Sequence, residues 1–144
     1  MKNLDYHSSI AANVTPKEAF AGIANVGGWW AKNFKGSALK KGDTFTVEFG
    51  KTNVNFEITE AIPEKKSVWK VTDCYLDWLN DKKEWKGTEV VWEIASKGAE
   101  TQIDMTHVGL TPDVECYNDC FAGWNGHING SLNNLLKDGK GQPE

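Results

Sequence analysis

Three groups of side chains in this sequence could do chemistry, and each has a plainer alternative. Ile103, Met105 and His107 alternate with Gln102, Asp104 and Thr106, which puts His107 on the apolar face of a strand. An imidazole there serves either as a polar anchor for a ligand or as a buried side chain satisfied by a backbone carbonyl or a tyrosine. General-base work needs a partner within reach; Asp73, Tyr75 and Asp119 are candidates that the sequence leaves unplaced. Cys116 and Cys120 share a helical face and His127 follows, which invites a metal reading. Their spacing matches no paired zinc pattern, and packing accounts for both cysteines. Ser131 follows Gly130 in mid-helix, with no Gly-x-Ser-x-Gly elbow. Gly27-Gly28 and Gly139-x-Gly141 lack the strand-to-helix context of a phosphate loop. No catalytic residue, metal or cofactor is assigned.

The remaining constellation is apolar and aromatic. Strand positions Phe45, Phe56, Trp69, Trp92, Met105 and His107 point to the same side, facing Trp124 and Ile128 on a helix, with Trp30 at one end. Stripes of this kind are ordinary core. Seven tryptophans, however, are a large aromatic load for 144 residues, so some of the rings are expected to line a cavity or groove.

These residues must be positioned by strands and by one long helix. Cys116, Cys120, Trp124, Ile128, Leu132 and Leu136 recur every fourth residue, predicting an amphipathic helix over Asp113–Leu136. Thr111-Pro112-Asp113 is its expected start, with Lys137 and Gly139 as its stop. Gly123, Gly126 and Gly130 each cost about 1 kcal/mol against alanine in a helix; close approach of backbone to a sheet, or to something held between helix and sheet, is the use of such glycines, plain close packing being the nearer reading. Upstream, Tyr6–Val14 alternates as a strand, and Thr15-Pro16-Lys17-Glu18 is a capping box opening a short helix that buries Ala19, Phe20 and Ile23. Gly36–Gly42 reads as a loop, and Phe45–Phe49 with Val54–Ile58 as a hairpin. Val68–Leu79 forms a further strand whose phase breaks after Asp73, as a bulge would make it. Asn80–Lys86 is a charged loop beside exposed Trp78 and Trp85; it is a possible lid, and the two rings a possible dimer contact. Two more alternating strands, Thr88–Ile94 and Gln102–His107, precede the long helix, and Lys140–Glu144 is a frayed tail.

Composition narrows the function classes. The net charge of −4 arises from 20 acids against 16 bases, all of them lysine. Without arginine's bidentate fork a nucleic-acid partner is disfavoured. Three cysteines read as small buried hydrophobes of a reducing compartment. No membrane span or signal segment is expected, so the location is read as cytoplasmic. The length suits one domain, 1–144.

The order of strand, short helix, antiparallel meander and long helix defines an α+β class. It resembles the helix-grip fold of the START-like (SRPBCC) superfamily, a curved antiparallel β-sheet wrapped around a long C-terminal α-helix. The segments Asn25-Val26-Gly27-Gly28-Trp29-Trp30, Gly42-Asp43-Thr44-Phe45, Ile58-Thr59-Glu60-Ala61-Ile62-Pro63, Thr106-His107-Val108-Gly109-Leu110 and Gly123-Trp124 are similar to the branch named after the activator of the heat-shock-protein-ninety ATPase. The resemblance implies an apolar cavity between sheet and helix, which the inward set from Trp30 to Ile128 would line. The expected function is non-enzymatic binding of a small, largely apolar, lipid-like ligand. A chaperone-assisting or self-associating role is the alternative, and a START-like hydrolase or cyclase ranks third.

Overall fold

The computed structural model describes residues 5–143. Seven antiparallel strands form one sheet in the order β1-β7-β6-β5-β4-β3-β2: β1 (Tyr6–Ala12), β2 (Asn33–Gly36), β3 (Thr44–Phe49), β4 (Thr52–Ile62), β5 (Lys66–Tyr75), β6 (Glu89–Lys97) and β7 (Glu100–Val108). The alternation that predicted them is the alternation of burial: Tyr6, Ser8, Ile10 and Ala12 face inward on β1, and Thr101, Ile103, Met105 and His107 on β7. Strand β2, absent from the sequence reading, is a short edge strand with a mostly exposed pattern, so it carries no alternation to detect.

Two bulges bend the sheet around its inner face. Asn55 pairs with Asp73 but Phe56 with Val71, leaving Thr72 extra; Ile58 pairs with Trp69 but Glu60 with Val68, leaving Thr59 extra. The first is the phase break expected after Asp73. It keeps Trp69 and Val71 inward and turns Cys74 inward as well.

Helix α1 (Pro16–Ala24) begins with the predicted capping box. The Glu18 amide donates to Thr15 Oγ1 at 3.1 Å, and the Thr15 amide to the Glu18 carboxylate at 2.9 Å. A further helical turn, α2 (Val26–Trp29), carries both Trp29 and Trp30 into the core. The long helix comprises α3 (Tyr117–Asn125), a π-helical stretch Gly126–Leu132 and α4 (Asn133–Asp138), and it stops at Gly139 with φ 77°. It starts later than the Thr111-Pro112-Asp113 signal suggested, and the two residues just ahead of it are held from elsewhere in the chain: the Glu84 carboxylate accepts from the amides of Glu115 and Cys116.

Two other expectations are corrected. A Cβ at Gly123, Gly126 or Gly130 would meet nothing within 4 Å, so these glycines border open space, not a closely packed backbone. The tail is docked through residue 143: Gly141 is buried, and the Gln142 amide donates to Ser131 Oγ at 2.6 Å. Ser131 in turn donates to the Trp29 carbonyl at 2.6 Å, so it ties the tail, the long helix and α2 together. Residue 144 lies outside the described residues.

Candidate functional site

The middle of the space between sheet and long helix is filled. Phe45, Phe56, Trp69, Trp92, Met105, His107 and Ile128 are all buried there. Trp69 contacts the rings of Phe45, Phe56 and Trp92 with centroids 5.1–5.6 Å apart. Trp30 closes one end of this cluster, lying 6.2 Å from Trp69 and 4.9 Å from Trp124.

Beyond Trp30 the packing opens into a pocket of about 350 Å³. Strands β3 and β4 contribute Phe49, Thr52 and Val54; the segment after β5 contributes Leu76, Trp78 and Trp85; the long helix contributes Asp119, Cys120, Gly123, Trp124 and His127. Of the nine residues expected to line a cavity, Trp30 and Trp124 do so here. The other seven stand behind them in the core. The bulge explains part of what the sequence missed: after Thr72 the strand parity changes, β5 stays paired with β4 as far as Tyr75, and Leu76 and Trp78 follow beyond its end.

Trp85 and Trp124 form one wall, stacked 6.0 Å apart and 9° from parallel. Each indole is held by its nitrogen. Trp124 Nε1 donates to His107 Nδ1 at 3.1 Å, and Trp85 Nε1 donates to Cys116 Sγ at 3.2 Å. Because an indole nitrogen only donates, Nδ1 of His107 carries no proton, so the neutral ring is protonated at Nε2. That nitrogen donates to Thr88 Oγ1 at 2.9 Å, whose own proton goes to the Trp85 carbonyl at 2.7 Å. His107 is thus fully engaged behind the wall, and burial pushes its pKa down to about 3. Its partners are a tryptophan and a threonine. Asp73 instead accepts from Lys83 Nζ at 3.0 Å, which holds its carboxyl below the usual range, and Tyr75 lies under the Lys82 ammonium at 5.7 Å.

The charged loop is braced. The Glu115 carboxylate accepts from the amides of Asn80 and Asp81 at 2.9 and 3.1 Å, and these bonds hold its pKa below the ordinary glutamate value. With Glu84 capping the helix start in return, loop and helix hold each other by two carboxylates. Trp85, expected to be exposed, is 7% exposed as a result, while Trp78 at the rim is 50% exposed.

The cysteines also depart from expectation. Cys116 and Cys120 are joined in a disulfide, with Cα atoms 5.6 Å apart, inside the range that such a bridge requires. Cys74 alone is a free buried thiol, and burial raises its pKa. No helix among the described residues is long and apolar enough to cross a membrane, and no three of their His, Cys, Asp or Glu side chains cluster as a metal site.

The fold has solved counterparts. The Aha1 dimer from Colwellia psychrerythraea superposes with a TM-score of 0.79 at 22% identity, over 96% of this chain and 100% of that one. Protein SSP2350 from Staphylococcus saprophyticus gives 0.72 at 15% identity, over 96% and 95% of the two chains. DynU16, from the dynemicin biosynthetic locus, gives 0.70 at 14% identity, over 97% of this chain and 49% of that one. No curated protein matches in sequence. The Activator of Hsp90 ATPase homolog 1-like protein profile matches residues 18–137, most of the chain, and with the helix-grip sheet and long helix in place the chain belongs to that family.

Proposed function

We propose that this protein is a non-enzymatic receptor for a compact, largely apolar aromatic molecule, bound at the end of the space between sheet and helix and not in its middle. The observation that carries this reading is the wall of Trp30, Trp85 and Trp124 around an otherwise apolar pocket, with polar atoms confined to a few side chains such as Thr52, Asp119 and His127. Sites for small molecules have this make-up, and about 350 Å³ lies near the small end of their range of roughly 300–1,000 Å³. Asp119 at the pocket favours neutral or cationic ligands over anionic ones.

The test is a titration with N-phenyl-1-naphthylamine, a neutral aromatic fluorophore, followed by its emission and by thermal unfolding. At a hundred times its dissociation constant, a ligand adds roughly 2.7 kcal/mol of stability, a rise of several degrees in melting temperature for a domain of this size. Gly123→Leu, which fills open space beside Cys120, should abolish the saturable signal. Equal binding by the wild type and this variant would place the probe elsewhere and count against the pocket.

The exposed rim tryptophan, Trp78, favours a second reading as a protein-interaction domain, in keeping with the family's name and with the dimeric relative. Monomeric light scattering, together with no change in the turnover of a chaperone ATPase, would remove it.

A further inference from the structure

The Cys116–Cys120 bridge does more than packing requires. Cys116 Sγ holds the Trp85 indole, while Cys120 lines the pocket and is 7% exposed, against none for Cys116. Cys120, not Cys116, is therefore the half of the bridge that an attacking group meets in the pocket. The other sulfur is placed to leave. It accepts the Trp85 N–H, and Cys116 stands at the start of α3, where the helix dipole favours negative charge on sulfur. Glu84 and Glu115 beside that helix start, and Asp119 on the pocket, oppose this charge and disfavour thiols that carry a carboxylate or other anionic group besides the reacting sulfur.

We propose that Cys116 and Cys120 form a redox-active site that exchanges with small uncharged dithiols and disulfides through the pocket, attack falling on Cys120 Sγ and Cys116 Sγ leaving. In reduction, one thiolate of the dithiol bonds to Cys120 Sγ, and the Sγ–Sγ electron pair departs on Cys116, which takes a proton from water. The second thiolate of the dithiol then attacks its own sulfur in the mixed disulfide, closing the oxidised ring and releasing the Cys120 thiolate. The dithiol loses two electrons, and the protein gains them as two thiols. Oxidation runs the same steps backwards, with a small neutral disulfide as the oxidant. The site uses the pocket only as a passage, so it stands whether or not the pocket also holds a ligand. Because Cys116 Sγ is the acceptor for Trp85, the state of the pair is transmitted to the Trp85–Trp124 wall.

The experiment follows thiols by intact mass, after acid quench and alkylation under denaturing conditions. Of the three cysteines, the oxidised chain should show one alkylated, Cys74, and the reduced chain three. Native protein treated with dithiothreitol should pass from one to three, and with 2-hydroxyethyl disulfide back again. Gly123→Leu should slow reduction at least tenfold. Gly130→Leu, whose added Cβ also meets nothing but which does not line this pocket, should stay within about twofold of wild type. In the single variants, Cys116→Ser should form a mixed disulfide with 2-hydroxyethyl disulfide at least tenfold faster than Cys120→Ser, circular dichroism confirming that both are folded. Three thiols that never oxidise, a bridge reduced only in denaturant, or equal rates for wild type and Gly123→Leu would each overturn the proposal. Loss of N-phenyl-1-naphthylamine binding with these rates intact would sink the receptor reading alone.

Discussion

His107 makes the fold sensitive to acid in a way that can be isolated. The ring is buried and neutral, accepting from Trp124 at one nitrogen and donating to Thr88 at the other, with a pKa near 3 in the native state. In the unfolded chain it titrates near 6.5. The native value is the lower one, so below pH 6.5 the unfolded state binds a proton that the native state refuses. Stability from this group is therefore complete above about pH 6.5 and drains away as pH falls towards 3. Over the two pH units from 6.5 down to 4.5 the accumulated loss is roughly 3 kcal/mol. Carboxylates contribute their own acid loss, which a comparison removes. His107→Asn lacks the titrating ring, so its deficit against wild type at pH 7.5 should shrink by about that amount at pH 4.5, read by urea unfolding with circular dichroism. A deficit that stays constant across the two pH values would refute both the neutral ring and the hydrogen-bond directions assigned from it.

Other substitutions probe the parts around it. Trp124→Phe leaves His107 Nδ1 buried without its donor and should cost about 1–3 kcal/mol, with weakened N-phenyl-1-naphthylamine binding measured by fluorescence. Glu115→Gln should speed hydrogen exchange at the amides of Asn80 and Asp81, which the carboxylate now holds. Since those bonds lower the Glu115 pKa, acid should release the same amides in wild type as pH falls through the carboxylate range, and unchanged exchange would contradict the brace. Thr15→Ala should lower stability by ~0.5–2 kcal/mol through loss of the α1 cap, as thermal unfolding would report.

What the sequence made legible was what periodicity encodes. Inward Tyr6, Ile10, Trp69, Trp92, Met105 and His107 follow from strand alternation, and the Thr15–Glu18 box from local hydrogen bonding that needs no tertiary partner. What it concealed was long-range. The start of α3 is set by Glu84, more than thirty residues upstream, and no local signal at Thr111-Pro112-Asp113 could reveal that. The bulge at Thr72 is legible in the parity of β5, but the placing of Leu76 and Trp85 at the pocket goes with a loop held by Glu115, a partner distant in sequence. Cys116 and Cys120 fit the apolar stripe, so packing alone accounts for them in sequence; the bridge is legible only once the helix start fixes their separation. The glycines of the long helix stand out in sequence by their cost, whereas the open space beside them, at Gly123 part of the pocket, is a property of the assembled fold.

On the proposed function, the pocket beyond Trp30, not the packed middle of the fold, receives a small aromatic molecule. Seven tryptophan indole N–H groups provide built-in reporters of position, resolved as separate signals in a proton–nitrogen correlation spectrum. On titration with N-phenyl-1-naphthylamine, the signals of Trp30, Trp78, Trp85 and Trp124 should shift most, because these four line the pocket. That of Trp92, buried and not lining the pocket, should hold nearly still, and that of Trp69, one ring behind Trp30, should shift less than the four. Saturable shifts in that pattern would support the account. Shifts concentrated on Trp69 and Trp92, or none at all, would contradict it.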